Sequence, residues 1–314
     1  MKVFVVAGEP SGDRLGAALM AGLRALEPAS RFAGVGGAAM EAEGLISLFP
    51  MEELSVMGIL EVLPRYRALR RRIAETAEAV RASGAEVLVT IDSPDFCLRV
   101  ARRVRAARPG LPIVHYVAPS VWAWRPGRAQ KMARSVDHVL ALLPFEPPYM
   151  EAAGMGCDFV GHPVVAEARA TPAEAAAFRA AVAPGGGPVV LALPGSRRGE
   201  VTRLAPVFGA ALGRVAALHP GLAVVVPTVR GVSGLVHEMT AGWPVPPVIV
   251  ETPEDRRAGF AAADAALAAS GTVSLELAAN DLPMVIAYDM HPLSRFLIGR
   301  LLRTDTVTLV NLVA

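Results

Sequence analysis

Short apolar runs alternate along the chain with Ala- and Leu-rich segments, and this alternation is the clearest pattern in the sequence. Apolar runs of this length are typical of buried parallel strands, and the longer segments between them of covering helices. In the first half the predicted strands are Val3–Ala7, Arg31–Val35, Val87–Ile91, Ile113–Val117 and His138–Leu142. In the second half they are Val189–Leu193, Ala223–Val226, Val248–Val250, Ala265–Ala268 and Met284–Ala287. The pattern predicts an α/β fold.

One helix shows its buried face in the spacing of its apolar residues. Between Arg65 and Ala82, apolar residues recur at steps of three and four, and arginines occupy other positions. This is the spacing of an amphipathic helix, whose predicted buried face contains Leu69, Ile73, Ala77 and Val80. At the end of the sequence, Val307–Ala314 is predicted to be a strand and a loop.

The length of 314 residues favours two domains, because a single core rarely grows so large. The strand pattern stops in an Ala-, Pro- and Gly-rich stretch and then restarts, which places the boundary near Val165. We therefore predict two doubly wound, Rossmann-like domains, residues 1–165 and 166–314, that face each other across a cleft. Ligands of such sheets bind beyond the carboxyl ends of the strands.

Composition narrows the class of protein. Hydrophobic residues make up 53% of the chain and charged residues 19%, which argues against disorder. Cys97 and Cys157 lie far apart without metal-ligand spacing, which suits a reducing compartment. We expect no signal peptide and no spanning segment, and hence a cytoplasmic protein.

Positive charge is concentrated in one region. Residues 51–135 contain 15 Lys and Arg against 8 Asp and Glu, whereas the whole chain has a net charge of only +2. Such a patch suits phosphate, anionic lipid or nucleic acid, and composition does not choose among them.

The turn Gly8–Asp13 directly follows the first predicted strand. Its backbone, with Ser11 and Gly12, could cradle a sugar or an anion, although it lacks a dinucleotide fingerprint and Glu9 would repel a pyrophosphate. The competing interpretation is an ordinary tight turn in which Ser11 or Asp13 caps the next helix.

Asp92 and Asp95 follow the strand Val87–Ile91. A carboxylate at this edge is well placed to act as a general base towards an acceptor hydroxyl. Alternatively, Asp95 caps the next helix and Asp92 accepts hydrogen bonds from loop amides.

An aromatic loop, His115–Arg125, follows the fourth strand. Its two tryptophans, Trp122 and Trp124, stand beside Arg125 and could stack on a sugar or contact phosphate. Packing in the core is the equal alternative for one of them.

Two turns in the second half could hold a diphosphate. After Leu193, a Gly-containing turn offers amides, the Ser196 hydroxyl and the Arg197 guanidinium, which would carry the leaving-group charge because no metal-binding motif is apparent. A solvated loop is the alternative.

The second turn, after Ala268, contains Ser270, Gly271, Thr272, Ser274 and Glu276, the last of which could reach ribose hydroxyls. Here the alternative is a local capping box of Thr272 with the turn of Glu276.

The segment Leu54–Leu63 is apolar and is followed by arginines, which suits shallow insertion into an anionic lipid surface. Its apolar candidates are Val56, Met57, Ile59, Leu60 and Leu63. The arginines are Arg65, Arg67, Arg70, Arg71 and Arg72. A core segment followed by a solvated face is the alternative, and a nucleic-acid interface is less favoured because no recognised fold for one is present.

Together these strings resemble the lipid-A-disaccharide synthase family over essentially the whole chain. The resemblance rests on the motifs above, on Met51–Leu63 with its core Leu54–Gly58, and on two further motifs, Leu143–Glu146 and Gly161–Pro163. It implies a GT-B glycosyltransferase without metal or cofactor. The implied substrates are UDP-2,3-diacylglucosamine and 2,3-diacylglucosamine 1-phosphate, and the implied products are a β-1,6 disaccharide 1-phosphate and UDP.

The resemblance also implies roles for residues. Asp92 is the expected general base, with Asp95 and Glu9 as further catalytic candidates, and Glu9 and Ser11 line the acceptor side. UDP is held by Ser196, Arg197, the turn Ser270–Glu276 and Asn311. The family is peripheral on the inner face of the bacterial inner membrane, and its chains continue past Asn311 with terminal helices that this sequence lacks.

Other functions remain open on the sequence alone. A UDP-sugar 2-epimerase or another UDP-sugar transferase would use the same diphosphate turn, although neither explains the apolar segment with its arginines. A non-catalytic lipid binder is a second alternative. An NAD dehydrogenase is disfavoured by the missing dinucleotide fingerprint.

Overall fold

A computed structural model describes residues 1–54, 59–122, 127–229, 231–289 and 308–313, with the backbone alone for 59–66 and 312–313. The chain divides into two compact units, Met1–His162 and Pro163–Ala314. Each unit contains one parallel sheet with helices connecting its strands.

The first unit is built on a six-stranded sheet in the order β2-β1-β3-β4-β5-β6, with all pairs parallel. The strands are β1 Lys2–Ala7, β2 Arg31–Val35, β3 Val87–Ile91, β4 Ile113–Tyr116, β5 His138–Ala141 and β6 Gly156–Phe159. The sequence pattern missed β6, because this edge strand is largely exposed and has no apolar run.

The helices of the first unit are α1 Pro10–Leu26, α2 Ala38–Ala42, α3 Ile59–Ala82, α4 Pro94–Ala107, α5 Gly127–Met132 and α6 Pro147–Glu151, with a 3-10 turn at Met51–Glu53. The predicted buried face of α3 is confirmed. Ile73 and Val80 are buried in the core, and Leu69 and Ala77 pack against it.

The second unit has a five-stranded parallel sheet in the order β11-β10-β7-β8-β9. Its strands are β7 Val189–Leu193, β8 Ala223–Pro227, β9 Val248–Val250, β10 Ala265–Ala269 and β11 Met284–Ala287. Its helices are α7 Pro172–Val182, α8 Arg198–Leu218, α9 Ser233–Thr240, α10 Pro253–Ala262, α11 Val273–Ala279 and α12 Leu309–Val313, with a 3-10 turn at Pro163–Ala166. The strand predicted for Val307–Ala314 is wrong, because residues 309–313 form α12.

Both faces of the second sheet are buried, which explains its continuous apolar runs. Ala192 and Val224 face one core cluster with Phe208 of α8, whereas Leu191 and Val225 face the other. α8 is the one described helix long and apolar enough to cross a membrane by length and composition, a test that core helices also pass. The two parallel sheets confirm the predicted α/β class.

Strand order defines where each sheet can bind a ligand. The chain leaves β1 towards β2 on one side and returns to β3 on the other, so the first sheet reverses direction between β1 and β3. The second sheet reverses in the same way between β7 and β10. In sheets of this kind, ligands bind beyond the carboxyl ends of the strands at such reversal points.

Candidate active site

The turns after β1 and β3 meet at the carboxyl edge of the first sheet. The Ser11 hydroxyl donates to Asp92 Oδ2 at 3.4 Å, and the Ser93 hydroxyl donates to Glu9 Oε1 at 3.3 Å. Gly8 permits this approach, because a Cβ there would lie 2.7 Å from Ser93 Oγ. The structure therefore brings Glu9, Ser11 and Asp92 together.

The backbone that carries Asp92 is strained. Asp92 and Ser93 have φ angles of 51° and 39°, in the left-handed region that L-residues other than glycine seldom occupy. The Asp92 amide donates to the Tyr116 carbonyl at 2.9 Å, which ties the turn to the end of β4. Strain of this kind costs about 1–3 kcal/mol per residue and is concentrated at functional sites.

The tight-turn alternative for Gly8–Asp13 does not describe the structure. α1 begins at Pro10, contains Gly12 and has no side-chain cap at its N-terminus. The buried Asp13 carboxylate instead accepts from the amides of Gly37, Ala39 and Met40 at 2.8, 2.9 and 3.0 Å. Asp13 thus anchors the start of α2, and Ser11 stays exposed beside Asp92.

The two carboxylates that follow β3, Asp92 and Asp95, have different partners. Asp95 is exposed and forms a 3.5 Å ion pair with Arg128 of α5. It does not cap α4, because Ser93 occupies the N-cap position and no side-chain capping bond is made there. Asp92 accepts the Ser11 hydroxyl, so of the two it is the one joined to the neighbouring turn.

His115 of β4 is fully buried, and its Nδ1 lies 2.8 Å from the Thr90 hydroxyl. Burial, together with the nearby charge of Arg128, lowers the pKa of His115 to about 4. The ring is therefore neutral near pH 7. Val117, just beyond β4, has a φ of 83°, which continues the strained backbone along this edge.

Trp122 is half-buried and packs edge-on against Phe145, with ring centroids 5.2 Å apart and planes at 89°. Its indole N–H donates to Glu146 Oε1 at 3.4 Å. Trp124 and Arg125 lie outside the described residues. The aromatic loop thus presents Trp122 at the carboxyl edge, held by the segment that follows β5.

Glu146 lies at this edge, and no role was predicted for it from the sequence. The residue is 3% exposed, and burial raises the pKa of its carboxyl group above the ordinary value. The sequence did contain a signal, because Glu146 ends the otherwise apolar segment Leu143–Glu146 directly after a strand. A carboxylate is seldom buried in such a place.

In the second unit, the turn after β7 is closed by its own carboxylate. Glu200 Oε2 accepts the amides of Ser196 and Arg197 at 3.2 and 3.3 Å, and Glu200 Oε1 pairs with the Arg197 guanidinium at 2.9 Å. Gly195, with a φ of 121°, makes this turn possible. The amides predicted to bind phosphate are thus present, and Glu200 contacts them here.

The turn after β10 lies next to it, because β7 and β10 are adjacent strands. The Ser274 hydroxyl bonds the Gly271 carbonyl at 2.8 Å, and Thr272 at the helix start makes no side-chain cap, so the capping-box alternative is wrong. Glu276 accepts from Arg256. Ser270 is half-buried, and its amide bonds the Ala287 carbonyl.

Asn311 is exposed on α12, which lies beside α11. This neighbour relation brings Asn311 to the helix that starts at the Ser270–Glu276 turn. The two candidate diphosphate turns and Asn311 therefore belong to one region of the second unit.

The candidate membrane segment is only partly described. Val56 and Met57 lie outside the described residues, and Ile59, Leu60, Leu63 and Arg65 are described only as part of the α3 backbone. Arg67, Arg70 and Arg71 are exposed. Arg72 differs, because it pairs with Glu53 at 2.6 Å and Glu75 at 2.7 Å and lies over the Phe49 ring.

Comparison with known proteins bears on this arrangement. The family model described as lipid-A-disaccharide synthetase matches residues 3–314. The chain is 64% identical to a lipid-A-disaccharide synthase of Ruegeria pomeroyi, over 100% of this chain and 80% of that protein. It is 53% identical to one from Rhodospirillum centenum, over 99% of this chain and 78% of the relative.

Among solved structures, the chain is similar to a UDP-GlcNAc 2-epimerase from Neisseria meningitidis that was crystallised with UDP-GlcNAc. The TM-score is 0.67, and the match covers 96% of this chain and 85% of the epimerase at 12% identity. At that identity the likeness concerns the GT-B-like fold alone and does not favour epimerase function. The chain belongs to the lipid-A-disaccharide synthase family, and it is a glycosyltransferase.

Proposed function

We propose that this chain transfers 2,3-diacylglucosamine from its UDP derivative to 2,3-diacylglucosamine 1-phosphate, which yields a β-1,6 disaccharide 1-phosphate and UDP. The family membership supports the reaction class, and the epimerase structure with UDP-GlcNAc supports a UDP-sugar donor on this fold. The observation that carries the proposal is the Ser11 to Asp92 contact at the reversal point of the first sheet.

Asp92 is the proposed general base. It takes the proton of the acceptor 6-hydroxyl as that oxygen attacks the anomeric carbon of the donor. The new C–O bond forms on the face opposite the departing UDP, so the configuration inverts. Ser11 orients the Asp92 carboxylate, and Glu9, which accepts from Ser93, lines the acceptor side. Asp95 is less suited, because it is paired with Arg128.

The departing UDP is proposed to bind the second unit. Its diphosphate meets the Arg197 guanidinium and the amides of the Ser196 turn, which stabilise the developing negative charge. The Gly271–Ser274 turn supplies further donors, with Glu276 and Asn311 directed at the nucleoside. Because Glu200 bonds the same amides in this structure, its carboxylate must be displaced when a phosphate binds.

A lipid surface is the proposed location, since both substrates carry acyl chains. Insertion of the Val56–Leu63 segment, supported by exposed Arg67, Arg70 and Arg71, would hold the chain on the inner face of the inner membrane. Arg72 is excluded from this role, because its charge is neutralised by Glu53 and Glu75.

The direct test is UDP release from UDP-2,3-diacylglucosamine in detergent micelles containing EDTA, with and without the acylated 1-phosphate acceptor. We expect release that requires the acceptor and continues in EDTA. Release without acceptor would indicate hydrolysis, and the absence of release would contradict the proposed activity of this chain.

Lipid binding is tested by co-sedimentation with vesicles that contain anionic lipid. Replacing Arg67, Arg70 and Arg71 with Gln should weaken binding by about 100-fold at low salt, since each cation contributes about 1 kcal/mol near such a surface. The matched control replaces the three exposed arginines of α4, Arg99, Arg102 and Arg103. Equal weakening by both sets would mean that only total charge matters.

A further inference from the structure

Glu146 is a buried carboxylate at the carboxyl edge of the first sheet, just beyond β5. Its Oε1 accepts the Trp122 indole N–H at 3.4 Å, its Oε2 accepts the Leu143 amide at 3.0 Å, and the Leu142 amide is a further backbone donor to the carboxylate. Among the described residues, no Lys, Arg or His forms an ion pair with it. A buried carboxylate without a cation is destabilising unless N–H donors satisfy its oxygens, so these hydrogen bonds hold Glu146 at this edge.

The indole of Trp122 is held from two sides by the same short segment. Phe145 packs edge-on against the ring, and Glu146 bonds its N–H. Both residues come from the Leu143–Glu146 string, which follows β5 and to which the proposed reaction gives no part. The ring is therefore fixed in position before any ligand arrives.

The position of this ring relates it to the proposed acceptor site. β4 precedes the Trp122 loop, and β4 pairs directly with β3, whose end carries Asp92. The Asp92 amide is bonded to the Tyr116 carbonyl of β4, so the two strand ends are coupled through the backbone. Aromatic faces stack on the C–H faces of sugar rings, and a ring that is already ordered loses no further rotamer freedom on binding.

We propose that Glu146 is a positioning residue that fixes the Trp122 indole as the stacking platform for the acceptor glucosamine. This inference rests on the proposed function, because it assigns the acceptor sugar to the first unit. It predicts that Glu146 acts on acceptor affinity through Trp122 and leaves the donor site unchanged.

The informative substitution is Glu146→Gln. The carboxylate accepts from the Trp122 indole on one oxygen and from the Leu143 amide on the other. A side-chain amide has one acceptor oxygen and presents its NH₂ group to one of these two donors. With one bond lost, we expect the acceptor KM to rise about 3- to 10-fold, while kcat and UDP affinity change less than about twofold. The matched control is Glu151→Gln, an exposed carboxylate at the end of α6, which should change neither constant.

A double-mutant cycle separates positioning from general destabilisation. Trp122→Phe removes the N–H and keeps an aromatic ring, so adding Glu146→Gln to it should raise the acceptor KM by less than about twofold. An equal rise in both backgrounds, or an equal rise in the donor KM, would overturn the proposal. Thermal unfolding of each variant shows whether it folds.

Fluorescence provides a readout that needs no turnover. The Trp122 contribution is the emission difference between the parent and Trp122→Phe, and Glu146→Gln should shift it without substrate present. An unshifted Trp122 emission would overturn the positioning role. Failure of the proposed function would appear separately, as a lack of acceptor-dependent UDP release by the parent chain.

Discussion

The carboxyl edges of the two sheets treat their carboxylates differently. At the first edge, Asp92 accepts a hydroxyl and Glu146 accepts N–H groups, and neither forms an ion pair with a described residue, whereas the exposed Asp95 pairs with Arg128. At the second edge, Glu200 is paired with Arg197 and Glu276 with Arg256. The first edge also has non-glycine residues with positive φ at Asp92, Ser93 and Val117.

This difference follows from what each edge is proposed to do. A base must keep its proton affinity, and a neighbouring cation would lower it, so neutral donors are the suitable partners. An anion site needs cations and free amides, and before the ligand binds these are satisfied by internal carboxylates. Backbone strain is found at the first edge, whereas at the second edge the Glu200 carboxylate is proposed to give way to phosphate.

The largest expected effect tests the first edge alone. Asp92→Asn should lower kcat by about 10²- to 10⁴-fold, because an amide cannot take the acceptor proton. UDP affinity, measured by calorimetry, should be unchanged, since the proposed UDP site belongs to the other unit. Asp95→Asn is the control, and it should retain most activity. A loss of turnover with Asp95→Asn equal to that with Asp92→Asn would transfer the base role.

Arg197→Ala tests the second edge, where UDP binding is expected to change and acceptor binding is not. Loss of the guanidinium should weaken UDP binding by about 10- to 100-fold, since a charge-assisted bond contributes about 1.5–3 kcal/mol. Acceptor binding to the first unit should not change. The control is Arg214→Ala, an exposed arginine near the other end of α8. Unaltered UDP affinity in Arg197→Ala would separate this turn from the diphosphate.

Many of the strands and turns that form the two edges could be predicted from the sequence, because they depend on local patterns. The strands β2, β3, β7, β9 and β11 have the predicted bounds, since their apolar runs stop abruptly at Gly, Pro or polar residues. The turns after β1, β3, β7 and β10 were recognised in the same way. The order of the strands in each sheet then brings these turns together in pairs. This order could not be predicted from the local sequence of any one strand.

The partners of the carboxylates could not be predicted, because they come from distant segments. Asp13 bonds amides 24 to 27 residues away, and Glu276 pairs with Arg256. β6 lacks an apolar run because it is an exposed edge strand, and α12 was predicted as a strand because its β-branched residues resemble one. In both cases tertiary contacts override the local propensity.

A third prediction concerns stability at the first edge. His115 has an ordinary pKa of 6.5 when unfolded and about 4 when folded, so between these values the unfolded chain binds more protons. The stability of the folded state that depends on neutral His115 is fully present above pH 6.5, and it is lost as the pH falls towards 4. When the pH is lowered from about 7.5 to 5, the free energy of unfolding measured in urea should fall by about 2 kcal/mol more for the parent than for His115→Gln.

The control for this titration is His219→Gln in the second unit, where the histidine is exposed. It should keep the full pH dependence of the parent. If His115→Gln also keeps that dependence, then acid destabilisation arises from other groups, and the buried ring at the first edge does not contribute to it.

The smallest expected effect tests whether Glu200 is a substitute for phosphate or a support for the turn. Glu200→Gln removes a negative charge from beside the proposed diphosphate site and weakens its hold on the Ser196 and Arg197 amides. Because like charges repel, calorimetry should show UDP binding about two- to fivefold tighter, with stability lower by about 1 kcal/mol from the weakened cap. Tenfold weaker UDP binding would mean instead that the carboxylate holds the turn in its binding conformation, and the two edges would then be equally preorganised.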